Sequence, residues 1–128
     1  MRILLDTHTL LWWLTDDARL SGNAREAIGD MRNEVFVSAA SAWEVATKQR
    51  LGKLDGLPPV AGWFGELTAA DGFVHLSITV RHALHAGGYD VPHRDPFDRM
   101  LAAQCELEGL TLVTSDKAFA DFGIATMW

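Results

Sequence analysis

The chain has 128 residues, 48% hydrophobic and 22% charged, which is ordinary for one globular domain with its own core. No apolar run reaches the roughly 18 residues of a membrane span, and the apolar N-terminus lacks the basic lead-in and cleavage site of a signal peptide. Lys and Arg total 11 against 17 Asp and Glu, and the formal charge of −6 argues against generic nucleic-acid binding through a basic surface.

The acidic balance still allows a nucleic-acid substrate. Divalent cations held by several carboxylates would reverse the local electric field and attract phosphate. The single cysteine, Cys105, has no partner for an internal disulfide, which fits a reducing, cytoplasmic compartment.

Short apolar strands alternate with helical segments along the chain. Ser21 is expected to cap a helix that runs to about Met31, with Ala24, Ala27, Ile28 and Met31 on one face. Either Ser38 or Ser41 caps the helix that ends near Arg50 before Gly52, and Pro58-Pro59 open another. The predicted strands are residues 2–6, 35–37, 73–76, 111–113 and 124–127, the last at an edge; the predicted helices are residues 7–14, 21–31, 38–50, 60–69, 79–85 and 96–108.

The strands lack a strict alternation of apolar and polar residues, which indicates a sheet buried on both faces. Strands alternating with helices are typical of a parallel sheet between two layers of helices. The sequence therefore predicts a single α/β domain over residues 1–128, with three layers and a short parallel sheet of four to five strands.

Two predicted strands run into an aspartate at their carboxyl ends. Asp6 directly follows the first strand, and Asp116 follows the fourth after Thr114 and Ser115. Ligands of open parallel sheets bind beyond this edge, although an aspartate after a strand is also a common turn or helix-cap residue. Both readings stay open from these two residues alone.

Glu44 interrupts a stretch of small and apolar residues, Ala39–Ala46. A carboxylate buried there needs a partner, because an isolated buried charge is costly. Equally, Glu44 fits the solvent face of an amphipathic helix, where Lys48 at i+4 supplies an ordinary surface ion pair.

Two further acids lie at the start of the helix predicted over residues 96–108. Asp95 before Pro96 is a good N-cap, and capping accounts for it without a functional role. Asp98 falls three residues later, where the helix dipole favours the ionised form that a metal ligand requires.

An oxygen-only ligand set suits Mg²⁺ or Mn²⁺ rather than zinc. His82 and His85 lack evident partners and are predicted to form a surface pair. His8 and His93 lie near the acids, and local hydrogen bonding is the first interpretation of each.

Four segments, MRILLDTHTLLWWL, SAASAWEVATKQRLGKL, HRDPFDRMLAAQ and TLVTSD, occur in an order and spacing that resemble the PIN-domain family. They look most like the bacterial VapC-type toxins with an Asp-Pro-Phe-Asp-Arg variant, and the resemblance covers nearly the whole chain. It implies a small α/β nuclease that hydrolyses RNA with Mg²⁺ or Mn²⁺, leaves a 5′-phosphate and a 3′-hydroxyl, and is paired with an antitoxin that blocks the site.

Carried onto this sequence, the resemblance implies four catalytic and metal-binding acids: Asp6, Glu44, Asp98 and Asp116. Asp95 belongs to the subgroup pattern, as a helix cap or as a contact to a metal-bound water. His8 stands where many members of the family have Asn, which leaves no role to assign to this position.

Several basic and hydroxyl side chains surround these acids in the sequence. Lys48, Arg50 and Lys53 are candidates for guiding an RNA backbone, with a solvated helix end as the alternative. Arg99 is expected to orient a carboxylate or meet a phosphate, and Ser115 offers a hydroxyl.

Apolar side chains crowd two of the quoted segments. Those of these apolar side chains that remain exposed on the surface would mark a partner site, for a second copy in a homodimer or for an antitoxin helix. The residues concerned are Leu10, Leu11, Trp12, Trp13, Leu14 and Trp43.

Two other functions compete with a metal-dependent nuclease. An aspartyl-phosphate-type phosphatase would use Asp6 as its nucleophile, but the second acid of Asp-x-Asp is replaced in Asp6-Thr7-His8. A non-catalytic protein- or RNA-binding module would not need four acids, and all four are present.

Overall fold

The computed structural model describes residues 1–128 and contains five strands, six α-helices and two 3-10 helices. None of its helices is long and apolar enough to cross a membrane. The strands are β1 (Arg2–Leu5), β2 (Glu34–Ser38), β3 (Val74–Leu76), β4 (Thr111–Val113) and β5 (Thr126–Met127). The α-helices are α1 (Thr7–Leu14), α2 (Gly22–Gly29), α3 (Ala39–Arg50), α4 (Phe64–Ala70), α5 (Val80–Gly88) and α6 (Pro96–Glu108), and the 3-10 helices are Val60–Gly62 and Lys117–Phe122.

The five strands form one parallel sheet in the order β3-β2-β1-β4-β5. Leu4 of β1 pairs with Phe36 on one side and with Leu112 on the other. The central position of β1 places Asp6 between the carboxyl ends of its neighbours, and its N–H continues the ladder to the Val113 carbonyl at 3.1 Å. The predicted α/β class, the parallel sheet and the edge position of the last strand are confirmed.

Alternate residues of the strands pack into two separate hydrophobic clusters. Ile3 and Leu5 belong to the cluster that includes residues of α1 and α2, whereas Leu4 packs into the cluster built on α6. Each of these side chains is fully buried, so the sheet is covered on both faces and the three-layer arrangement is confirmed.

Side-chain caps set the beginnings of the helices. Ser21 accepts the Ala24 N–H, and Ser38 rather than Ser41 caps α3 by accepting the Ala40 N–H at 2.9 Å. These bonds satisfy backbone donors that have no partner inside the helix.

Three predicted helices differ from the structure, and the first of them, α5, runs to Gly88 instead of ending at residue 85. The segment predicted over residues 60–69 is divided at Trp63, whose φ of −137° and ψ of −24° are not helical. Trp63 donates its indole N–H to the Pro58 carbonyl, which anchors the break. Helix α2 ends at Gly29, and Met31 is 97% exposed, so its predicted place on the buried face was wrong.

Candidate active site

Asp6 is a buried carboxylate that also begins α1. It is 7% exposed and accepts hydrogen bonds from the Thr7 N–H at 2.8 Å and the Thr114 hydroxyl at 2.7 Å. Burial raises the pKa of Asp6 and the nearby charge of Glu44 raises it further, while the two hydrogen bonds and His8 lower it. Asp6 is therefore a carboxylate whose negative charge the surrounding protein only partly stabilises.

Glu44 is buried on the same side of the sheet edge. It is 4% exposed, accepts the Thr7 hydroxyl at 2.6 Å, and forms an ion pair with Lys48 at 2.7 Å. The Thr7 hydroxyl also lies 3.0 Å from that of Ser41. Thr7 thus contacts two acids, Asp6 through its N–H and Glu44 through its hydroxyl. The i,i+4 pair with Lys48 exists, but Glu44 does not lie on a solvent face.

Asp98 occupies the first turn of α6 with its side chain 14% exposed. His93 Nε2 lies 2.8 Å from its Oδ2. Burial raises the pKa of Asp98 to about 7, and the negative charges of Asp95 and Asp6 contribute to the rise, while His93 opposes it. The negative charges of the two carboxylates, Asp6 and Asp98, therefore oppose each other.

Asp95 is exposed and caps α6. Its Oδ1 accepts the N–H groups of Phe97 at 2.8 Å and Asp98 at 3.2 Å. The predicted cap is therefore present. Its bond to the Asp98 N–H holds the backbone from which the Asp98 side chain projects.

Asp116 is exposed and caps the 3-10 helix that follows β4 by accepting the Ala118 N–H at 2.9 Å. Its own N–H donates to the Thr114 Oγ1 at 3.0 Å. Thr114 therefore connects Asp116 to Asp6, since its hydroxyl binds the Asp6 carboxylate. Ser115 is exposed and makes no side-chain hydrogen bond.

The predicted basic residues separate into three kinds. Lys48 is paired with Glu44, whereas Arg50 and Lys53 are exposed and form no ion pair. Arg99 donates to backbone carbonyls, including those of Ala86 at 2.9 Å and Tyr89 at 2.6 Å. The prediction that Arg99 orients a carboxylate was wrong, because its guanidinium donates to backbone carbonyls instead. These donors satisfy the last carbonyls of α5, and this support lets the helix continue through Gly87 and Gly88.

The predicted surface pair of histidines was wrong for His82, which is 1% exposed. His82 Nδ1 accepts the Thr79 N–H, so Nε2 carries the proton and donates to Glu108 at 2.8 Å. His85 contacts Glu106 at 2.8 Å. Glu106 and Glu108 come from α6, and tertiary packing supplies partners that spacing along α5 did not reveal.

No group of three or more His, Cys, Asp or Glu side chains is gathered closely enough to count as a ready metal-binding group. The donor chemistry nevertheless fits a hard divalent cation. Asp6, Glu44 and Asp98 present only carboxylate oxygens, and burial, which raises the pKa values of Asp6 and Asp98, leaves their charge poorly solvated in a way that a cation would offset.

Thr7 and Thr114 were not predicted as organisers of the acids. Thr7 follows the first strand-end aspartate and Thr114 stands two residues before the last, so a hydroxyl near each strand-end acid is the sequence signal that could have identified them. Their bonds depend on the adjacency of β1 and β4 and on the approach of α3, which only the fold provides.

The chain was compared with known families, curated proteins and solved structures. The profile of the PIN domain matches residues 3–125. Ribonuclease VapC22 of Mycobacterium tuberculosis is 31% identical over 115 residues, covering 90% of this chain and 87% of that protein. Ribonuclease VapC16 of the same organism is 39% identical over 61 residues, which is 48% of this chain and 43% of that protein.

Two solved structures share the fold. The crystal structure of VapBC2 from Rickettsia felis bound to a DNA fragment from their promoter aligns with a TM-score of 0.72 at 13% identity, covering 99% of this chain and 98% of that one. The structure of FitAB bound to an IR36 DNA fragment aligns with a TM-score of 0.63 at 19% identity, covering 99% and 94%. The profile match and the VapC22 similarity both span most of the sequence, and the chain belongs to the PIN-domain family.

Proposed function

We propose that this protein is an endoribonuclease that hydrolyses RNA phosphodiester bonds with Mg²⁺ or Mn²⁺. The observation that carries the proposal is the buried Asp6 carboxylate, whose pKa is raised and whose charge acts on Asp98. Membership of the PIN-domain family, together with similarity to a protein named ribonuclease VapC22, supports RNA as the substrate.

The proposed ligands are the four acids of the shared sheet edge. Asp6 and Asp98 hold the better-occupied cation, and Glu44 and Asp116 contribute directly or through water. A bound divalent cation would make a water easier to deprotonate and would offset negative charge on the phosphate.

The chain's own residues prepare these acids. Thr114 and the Thr7 N–H orient the two oxygens of Asp6, and the Thr7 hydroxyl orients Glu44. His93 Nε2 is positioned to share a proton with Asp98 Oδ2. Because Lys48 already pairs with Glu44, Arg50 and Lys53 are the two of these three predicted RNA-binding residues whose charge is not used in an ion pair.

The remaining residues of the site have supporting roles. Asp95 positions Asp98 through the start of α6. The exposed Ser115 offers a hydroxyl to a phosphate or a water. Residues 95–99 read Asp-Pro-Phe-Asp-Arg, and this resemblance is the basis for proposing the subgroup of that name.

We further propose that residues 1–128 act as one nuclease domain, as the toxin of a toxin–antitoxin pair in the cytoplasm. VapBC2 and FitAB are two-component assemblies bound to DNA, and the fold shared with VapBC2 supports a cognate antitoxin as partner. A homodimer is the expected state of the free chain.

The test compares the wild type with Asp6→Asn and Asp98→Asn on total RNA, in Mn²⁺ and in EDTA. The wild type should cut RNA only with the cation, and each variant should lose at least about 100-fold in rate, because an amide is a neutral and weak ligand. Glu26→Gln is the matched control, since Glu26 is exposed on α2 with no ion-pair partner. Cleavage in EDTA, or full activity in both Asn variants, would overturn the proposal.

The same experiment separates the two competing functions. A phosphatase using Asp6 would leave RNA intact and accumulate an acid-stable, hydroxylamine-sensitive phosphoenzyme. A non-catalytic module would bind its partner equally well in the wild type and in Asp6→Asn, with no cleavage by either.

A further inference from the structure

Trp43 is the only aromatic side chain among the large hydrophobic residues that are exposed, with 58% of its surface accessible. It lies on α3 directly before the buried Glu44. Its ring makes a T-shaped contact with Phe97 of α6, with centroids 4.7 Å apart and planes at 76°. Phe97 in turn directly precedes Asp98. The aromatic pair therefore joins the two helices that carry Glu44 and Asp98, at the positions directly before these acids in the sequence.

Two other tryptophans, Trp12 and Trp13 of α1, contact charged or polar side chains within the fold. The Arg19 guanidinium lies 5.0 Å from the ring of Trp12, which also stacks with His8. The indole N–H of Trp13 donates to Asp71. Trp43 makes no side-chain hydrogen bond and leaves 58% of its surface in water, so it contributes less to folding than a buried tryptophan would.

The residues around Trp43 on the exposed side of α3 indicate the class of ligand. The exposed positions are Ala39, Trp43, Ala46 and Arg50, so one large aromatic ring lies among small side chains and a cation. A helical protein partner lays its apolar face into a hydrophobic groove, and the exposed side of α3 offers only one large apolar side chain for such a groove. A single-stranded nucleic acid needs an aromatic face for a base and a nearby cation for its phosphate.

We propose that Trp43, supported edge-on by Phe97, stacks an unpaired base of single-stranded RNA beside the phosphate that is cut. This inference rests on the proposed ribonuclease activity and extends it to the substrate's conformation. A base within a duplex presents no free face, so Trp43 selects unpaired RNA. Trp43 is a substrate-positioning residue, since it holds a nucleotide next to the acids without taking part in proton transfer.

The test measures binding of a short fluorescein-labelled oligoadenylate by anisotropy in EDTA, where hydrolysis does not interfere. Trp43→Ala should weaken binding by about 5- to 150-fold, the usual effect of removing one base–aromatic stack. Trp43→Phe should retain most of the affinity, because it keeps an aromatic face. Leu84→Ala, which removes another exposed apolar side chain far along the sequence on α5, should bind as the wild type does.

A second comparison uses oligoadenylates in which single bases are replaced by abasic sites. At one position of the oligonucleotide, removal of the base should weaken its binding to the wild-type protein as much as the Trp43→Ala substitution does. The same abasic oligonucleotide should bind Trp43→Ala no more weakly than the intact one does. Equal affinities of the wild type and Trp43→Ala, or abasic effects of the same size in both, would overturn the inference. Binding that depends on Trp43 without cleavage in Mn²⁺ would instead overturn the proposed ribonuclease activity alone.

Discussion

The hydroxyl of Thr114 donates a 2.7 Å hydrogen bond to the Asp6 carboxylate, joining residues 108 positions apart in the sequence. The same oxygen accepts the N–H of Asp116 at 3.0 Å. One threonine at the end of β4 thus orients the acid that follows β1 and the backbone of the acid that follows its own strand.

Thr114→Val should lower the free energy of unfolding by about 1–3 kcal/mol, because it leaves a buried carboxylate oxygen and a backbone N–H without their partner. It should also raise the pKa of Asp6, which the Thr114 hydrogen bond lowers. Urea unfolding in EDTA measures the stability. Thr114→Ser keeps the hydroxyl and should lose much less; equal losses would indicate that the methyl group, not the hydrogen bond, is responsible.

Lys48→Met should destabilise the fold by about 2 kcal/mol, because it leaves the buried Glu44 without its cationic partner. Adding Glu44→Gln to this variant should restore part of the loss, since the unpaired charge is then gone. Lys53→Met, at an exposed lysine without an ion pair, is the control and should change stability by less than about 0.5 kcal/mol. A Lys48→Met variant as stable as this control would contradict the prediction.

The stability of the metal-free protein should depend on pH through Asp98, whose pKa rises from 3.8 to about 7 on folding. The folded chain binds this proton more tightly than the unfolded chain, so the stabilisation from protonated Asp98 is lost as pH rises from about 4 to about 7. Asp98→Asn cannot ionise and should gain at least about 1 kcal/mol relative to the wild type between about pH 5 and about pH 8. Chemical unfolding in EDTA at both pH values measures this, and a constant difference would contradict it.

Mn²⁺ should raise the thermal unfolding midpoint, and the rise should be larger near pH 8 than near pH 6, because carboxylates bind cations in the ionised form. EDTA should reverse the effect. Asp6→Asn combined with Asp98→Asn should abolish it, whereas Glu26→Gln should keep it. A rise of the same size in the double variant would place cation binding elsewhere.

His82→Ala should cost about 2 kcal/mol or more of stability, because it removes a buried ring and its bonds to Thr79 and Glu108. His85→Ala removes a contact with the exposed Glu106 and an edge contact with the Tyr89 ring, and should cost less than about 1 kcal/mol because both contacts lie at the surface. Thermal or urea unfolding near pH 7 compares the two variants. Similar losses would mean that His82 is not the structural residue of the pair.

Local sequence signals were sufficient to predict most of the helices and strands. Helix α6 runs over the predicted residues 96–108 because Asp95 caps it and Gly109, with φ of 67°, ends it. Such signals act within a few residues, and a cap or a left-handed glycine needs no distant partner. The parallel sheet followed from apolar strands that are buried on both faces, and the two strand-end aspartates marked the edge where a ligand site is expected.

Tertiary structure decided the surroundings of each side chain. The sequence allowed two interpretations of Glu44, a solvent-facing ion pair with Lys48 or a buried site residue. In the structure α3 packs against Thr7, so Glu44 is buried and still forms the ion pair with Lys48. His82 forms a hydrogen bond with Glu108, 26 residues away in the sequence. Arg99 donates to backbone carbonyls rather than to an acid. Burial, pKa and hydrogen-bond partners depend on atoms that folding brings together from distant positions, so they are properties of the assembled sheet and helices.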